Sequence, residues 1–168
     1  MDKPRALLDT LNDNISGLSP FPMHQSDEAI KAQYGVENVY RMYMNESAYG
    51  PSPKVVEALQ AEAVLVGNYP VMRDDLLREK LAEIIGQGLD KDHLFTACSG
   101  YEVLELIFRA VLRPGDEVIV MHPTFGVYDR QATLHGVTLR KVPLADHTFT
   151  PNIDAVLEAI NNNTRIVL

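Results

Sequence analysis

From residue 52 onwards the apolar positions recur at two alternating periods. After Ser52-Pro53, a cap followed by a proline suited to the first helical position, Val55, Val56, Leu59 and Ala63 fall at helical spacing. Leu77, Leu81, Ile84 and Ile85 make a second helical stripe, which Asp74 begins and Gly86 and Gly88 end. The pattern then changes. Residues 94–97 read as a short strand, and 101–112 as a helix with Val103, Leu106, Ile107, Ala110 and Val111 facing inward. The turn Arg113-Pro114-Gly115-Asp116 leads to a buried strand at 117–121 and a helix at 124–135 closed by Gly136. A strand at 137–142, a helix at 153–162 and a strand at 165–168 complete the series. Such alternation predicts an α/β fold whose mostly parallel sheet has helices on both faces, a three-layer arrangement.

The first 44 residues follow a different pattern. Residues 2–11 suit one amphipathic helical stretch with Leu7, Leu8 and Leu11 on a shared face, and Ser19-Pro20-Phe21-Pro22 then blocks regular structure. Residues 26–34 predict a short helix capped by Ser26 or Asp27, and 39–44 are strand-like. This segment has too little apolar surface for a core of its own. The expected organisation is an N-terminal arm or small-domain segment over 1–44 and the first part of a larger domain over 45–168.

Composition narrows the function classes. With 15 basic against 23 acidic residues the net charge is −8, so no basic surplus exists to neutralise nucleic-acid phosphates. A small anionic ligand needs only a few local donors and stays open. One cysteine, Cys98, precludes an intrachain disulfide framework. No apolar run reaches transmembrane length, and the N-terminus alternates apolar with charged residues instead of forming a signal-peptide core. The expectation is a cytoplasmic protein without nucleic-acid or membrane partners.

Four segments carry candidate chemistry, and each also fits a purely structural role. Ala97-Cys98-Ser99-Gly100-Tyr101-Glu102 lies between a strand and a helix. There, first-turn amides lacking internal partners, aided by the Ser99 hydroxyl, suit a phosphate; the alternative is an ordinary βα turn. His122-Pro123-Thr124-Phe125-Gly126-Val127-Tyr128 follows the next strand, at the sheet end where α/β folds bind ligands. Phe125 there can cover a flat ligand, or it and Tyr128 can be core aromatics. Asn45 in Asn45-Glu46-Ser47-Ala48 is a substrate contact or part of a cap-and-turn segment, and Tyr69 in Gly67-Asn68-Tyr69-Pro70 offers a hydroxyl or is a surface tyrosine. The histidines His24, His93, His122, His135 and His147 lack metal-ligand spacing, so no metal site is expected. Cys98, without a histidine partner in sequence, reads as a small buried residue. None of Lys3, Lys31, Lys54, Lys80, Lys91 and Lys141 falls at a strand-end loop.

In order and spacing these segments resemble the fold-type I, class I/II pyridoxal-phosphate aminotransferases, and within them the histidinol-phosphate aminotransferase group. The resemblance runs from Leu18-Ser19-Pro20-Phe21 to Leu168. It implies the first part of the cofactor-binding large domain, preceded by the arm. It also implies that Ser99, Gly100 and Tyr101 hold the phosphate of pyridoxal 5'-phosphate, that Phe125 stacks on its pyridine ring, and that Tyr69 reaches the cofactor of a partner subunit in a homodimer. Asn45 and Phe21 would face the substrate. Two departures stand out: the family's Asn-Glu-Asn-Pro is Asn45-Glu46-Ser47-Ala48 here, and Phe21 replaces a tyrosine able to bond a substrate phosphate. The implied activity is amino transfer between histidinol phosphate and a 2-oxo acid. The resemblance places the catalytic lysine, the aspartate for the ring nitrogen and the carboxylate-binding arginine beyond Leu168. This chain is therefore expected to be an N-terminal fragment, inactive alone and with no catalytic residue of its own. The alternatives are another aminotransferase, a decarboxylase of the same superfamily, or a non-catalytic truncated product.

Overall fold

The computed structural model describes residues 7–16, 18–20, 24–70, 74–145 and 149–168. Seven α-helices are present among them: α1 (Asp13–Ser16), α2 (Asp27–Tyr34), α3 (Pro53–Glu62), α4 (Asp75–Ile85), α5 (Gly100–Val111), α6 (Val127–His135) and α7 (Ile153–Ala159). Three strands, β1 (Glu117–His122), β2 (Thr138–Pro143) and β3 (Thr164–Val167), form one parallel sheet in the order β2-β1-β3. The chain divides into two compact units, one of residues 1–20 and 76–168 and the other of residues 21–75.

The sheet lies in the first unit, and the side-chain alternation of β1 explains its layers. Val118 and Val120 project to one face, where they pack with Phe108 and Leu112 of the α5 region and with partly buried Tyr128, Val137, Leu139, Ile166 and Leu168. Ile119 projects to the other face, against Val142 and Val156 of α7. A strand buried on both faces is the middle layer of an α/β/α arrangement, and its continuous Glu-Val-Ile-Val-Met run is the sequence form of that position. At the amino end of the sheet, Glu117 is only 5% exposed. Its carboxylate accepts two hydrogen bonds from Arg140 at 2.8 Å each, and others from Asn161 Nδ2 at 2.8 Å and the Thr164 hydroxyl at 3.4 Å. One side chain thus ties the starts of β1 and β3 to β2.

Helix α6 is joined to its surroundings by polar contacts at both ends. Arg130 donates to the Ser19 carbonyl at 3.0 Å. His135 Nε2 lies 3.2 Å from the Glu105 carboxylate of α5, with its ring edge-on to Phe108. Gly136 caps the helix at φ +64°, and an added Cβ would come within 2.9 Å of Asn14 Nδ2. The left-handed backbone favours glycine there, and a side chain would also have to displace the Asn14 amide.

The structure corrects several expectations. Residues 94–97 carry extended backbone at Leu94 but form no strand, because among the described residues no neighbour pairs with them. Residues 39–44 form no strand either, and of the stretch 2–11 residues 7–11 are described, with Leu7–Thr10 as a 3-10 turn, while 2–6 lie outside the described residues. In α4 the buried positions are Arg78 and Ala82, while Leu77, Ile84 and Ile85 are exposed. The Arg78 guanidinium donates to the carbonyls of Lys91 and Leu94 at 2.8 and 3.3 Å, so the following turn folds back over that side of the helix. In α5 the sheet-facing side carries Phe108, not the expected stripe. Val103, Leu106, Ile107, Ala110 and Val111 instead line an open apolar groove with Phe95. Helix α5 is apolar on two sides, and periodicity alone did not say which side meets the sheet.

In the second unit Ser26 caps α2 by accepting from the Ala29 amide, and Pro53 opens α3 without a side-chain cap from Ser52. Arg41 holds Asp27 at 2.7 Å and donates to the Gln25 carbonyl. Neither helix of this unit contains a buried residue.

Candidate functional site

The start of α5 is built by reciprocal capping. Ser99 has extended backbone (φ −173°, ψ 169°), and its Oγ accepts from the Glu102 amide at 3.4 Å. The Glu102 carboxylate reaches back and accepts from the Cys98 amide at 2.5 Å. This is a capping box shifted by one residue, since the carboxylate takes the amide before the cap and not that of the cap itself. Two first-turn amides remain, those of Gly100 and Tyr101, and among the described residues they have no acceptor. A Cβ added at Gly100 would meet nothing within 4 Å, so the loop is uncrowded on that side of the residue. The arrangement can take an anion: two amides at the positive end of a twelve-residue helix, beside a hydroxyl whose oxygen is already oriented.

Phe125 lies on the loop leaving the carboxyl end of the middle strand, just after the cis peptide His122–Pro123. The residue is 62% exposed, and its ring stands edge-on to Tyr128, with centroids 6.2 Å apart and planes at 82°. Tyr128 in turn leans on the Phe108–Val118 cluster. The inner aromatic is therefore a core residue, while the outer one rests on it with most of its ring uncovered.

Ser99, Gly100, Tyr101 and Phe125 all belong to the unit that holds the sheet. Asn45 and Tyr69 belong to the other unit, and Phe21 lies outside the described residues. Asn45 is exposed and adopts φ +55°, a left-handed conformation that asparagine tolerates better than most residues. Tyr69 is 99% exposed, beside a shallow pocket lined by Leu65, Val66, Asn68 and Pro70. Cys98 is exposed, not buried as its type suggested, because it sits in the loop before α5. Glu102 is the residue whose part was not foreseen. Its signal was present in the Ser-x-x-Glu spacing of Ser99-Gly100-Tyr101-Glu102, the sequence mark of a capping box. Among the described residues no group of acidic, histidine and cysteine side chains is placed to hold a metal, and no helix is long and apolar enough to cross a membrane.

Comparison with known proteins places this geometry in context. The family described as aminotransferase class I and II matches residues 37–168. A histidinol-phosphate aminotransferase of Leuconostoc mesenteroides is 35% identical over 91% of this chain and 43% of its own length. One from Halalkalibacterium halodurans is also 35% identical, over 91% of this chain and 40% of its own length. The chain thus spans less than half the length of these relatives. Among solved structures, the histidinol-phosphate aminotransferase of Sinorhizobium meliloti in complex with pyridoxal-5'-phosphate superposes with a TM-score of 0.75 at 25% identity, over 92% of this chain and 40% of that one. An aspartate aminotransferase variant of Thermus thermophilus gives 0.76 over 94% of this chain and 43% of its own; at 22% identity it supports the fold alone.

Proposed function

This chain belongs to the class I and II aminotransferase family, and from that premise we propose that the full-length protein transfers an amino group from histidinol phosphate to a 2-oxo acid with pyridoxal 5'-phosphate. The observation that carries the reading is the start of α5, where the Gly100 and Tyr101 amides have no acceptor among the described residues and follow directly on the Ser99 hydroxyl. Those three groups suit a phosphate dianion, and the exposed Phe125 ring suits the flat ring attached to it. When bound, the cofactor supplies an electron sink for the carbanion formed at the amino-bearing carbon. The chain's own residues bind and orient. Amides and hydroxyl fix the anionic end, and Phe125 limits tilt of the ring and excludes water from one face.

In the same reading Tyr69 donates its hydroxyl to the cofactor phosphate of a second subunit, and Asn45 and Phe21 face the substrate. Full exposure of Tyr69, and the lack of buried residues in α2 and α3, support a homodimer. Residues 1–44 would be its arm, 45–168 the first part of its large domain, and the cytoplasm its compartment. The 168-residue chain alone is proposed to be inactive. Its described lysines Lys31, Lys54, Lys80, Lys91 and Lys141 lie in helices, a 3-10 turn or β2, and none is in the Ser99 or Phe125 loop.

The test is formation of glutamate from 2-oxoglutarate by the full-length protein, with histidinol phosphate compared against aspartate, alanine and aromatic donors. Histidinol phosphate should give the highest kcat/KM; a higher value for another donor reassigns the substrate within the family. The 168-residue chain should show no turnover and no cofactor absorbance band that survives dialysis.

A further inference from the structure

We infer that Glu102 is a positioning residue for the anion cradle at the start of α5, an inference that rests on the phosphate-binding reading of that loop. Its carboxylate accepts from the Cys98 amide, while its own amide donates to Ser99 Oγ. These two bonds close Cys98, Ser99 and Gly100 into a ring anchored on the helix. Without them the loop keeps the backbone freedom of a glycine-containing turn, and the Gly100 and Tyr101 amides lose their common direction. The bonds also divide the donors: Cys98 and Glu102 amides are satisfied within the chain, and Gly100 and Tyr101 amides are left for a ligand.

The carboxylate carries the same sign as the ligand, which alone would make it a rival for the anion site. Its position argues otherwise. It bonds the amide that precedes the cap, whereas the two open donors follow it, so its hydrogen bond takes up neither of them. What the cradle needs from residue 102 is thus an acceptor of the right length, not a charge. Glutamine keeps the acceptor and drops the charge, whereas alanine drops both.

The experiment titrates the 168-residue chain with inorganic phosphate and follows the backbone amide resonances of Gly100 and Tyr101 by NMR, comparing wild type, E102A, E102Q and G100P. The expected result is that E102A weakens the apparent phosphate affinity about fivefold, the size of a lost helix cap, and that E102Q binds as well as wild type or better. Equal or tighter binding by E102A overturns the inference, as does a loss in E102Q as large as that in E102A. G100P tests the underlying reading separately. Proline suits the first helical position, Ser99 is already extended before it, and a Cβ there meets nothing within 4 Å, so this change is chosen to delete one donor. If wild type shows no phosphate-dependent shift, or G100P (followed at Tyr101) binds like wild type, the cradle reading itself fails. If G100P weakens binding and E102A does not, only the role of Glu102 fails.

Discussion

Single side chains decide how the two halves of the site behave. Phe125 rests on Tyr128 by an edge contact and exposes most of its ring, so its removal leaves the sheet core intact. Phe125→Ala in the full-length enzyme is expected to raise the rate of cofactor loss on dialysis about five- to tenfold, with Phe125→Tyr close to wild type; unchanged retention in the alanine variant would remove its stacking role. Gln131 poses a different question. It is fully buried in α6, and among the described residues neither atom of its amide has a hydrogen-bond partner. An amide desolvated without compensation costs about 1–3 kcal/mol, so Gln131→Leu, similar in volume, should raise the free energy of unfolding by about 1–2 kcal/mol in a urea titration. A lower midpoint would show that the amide is satisfied by groups other than side chains or backbone. Phe125 was readable as a candidate because an aromatic follows a strand there, and Ser99, Gly100 and Tyr101 because a Ser-Gly pair opens a helix, although the strand expected before them does not form. Gln131 was not readable, since a lone glutamine between Arg130 and Ala132 carries no periodic signal of burial.

At the scale of elements, legibility followed how local the cause was. The Ser26 cap, the Pro53 start and the Gly136 stop depend on a few adjacent residues, and each appears where the chain announces it. The middle strand was legible because a strand buried on both faces is a nearly continuous apolar run. Which side of α4 and α5 faces inward, and whether residues 94–97 pair, depend on partners distant in sequence, and those readings needed correction. The Glu117 clip is of the same non-local kind, and it makes stability depend on pH. Hydrogen bonds from Arg140, together with Asn161 and Thr164, outweigh burial and hold the Glu117 carboxyl below its ordinary range. In Glu105, burial pushes the pKa up, and the bonds from Arg109 and His135 more than reverse it. A carboxyl with a depressed folded-state pKa contributes stability that is fully present above its unfolded pKa, about 4.3, and is lost as pH falls through the folded value. Unfolding free energy should therefore be flat from about pH 7 to 5 and drop progressively below about pH 4.3. Glu117→Gln should flatten that drop while lowering stability at neutral pH by about 2 kcal/mol, for lost charge-assisted bonds. A neutral-pH stability unchanged by the substitution would mean that the clip contributes nothing net.

For the whole molecule, the balance of covered and uncovered apolar surface sets behaviour in solution. Phe108, Ile119, Val118 and Val120 are fully or almost fully buried, so the sheet unit has a true core, yet Ile107 and Val111 of the same helix remain exposed along a groove that also includes Phe95. The other unit places Leu59, Val64, Val66 and Tyr69 on its surface, and its two helices contain no buried residue. Exposed apolar surface of this kind drives association when nothing covers it, and β2 and β3 add sheet edges with no further strand beside them among the described residues. The net charge of −8 opposes association only at long range and is screened within about 8 Å at physiological salt. Short-range apolar burial therefore wins. The purified 168-residue chain is expected to bind a hydrophobic dye and to show a concentration-dependent sedimentation coefficient that rises with added salt. Because Ile107 lies in the groove and not in the sheet-facing cluster, Ile107→Lys should lower dye binding and self-association without lowering the urea midpoint. If that variant unfolds earlier instead, the groove is part of the folding core and the division of α5 into a covered and an open side is wrong.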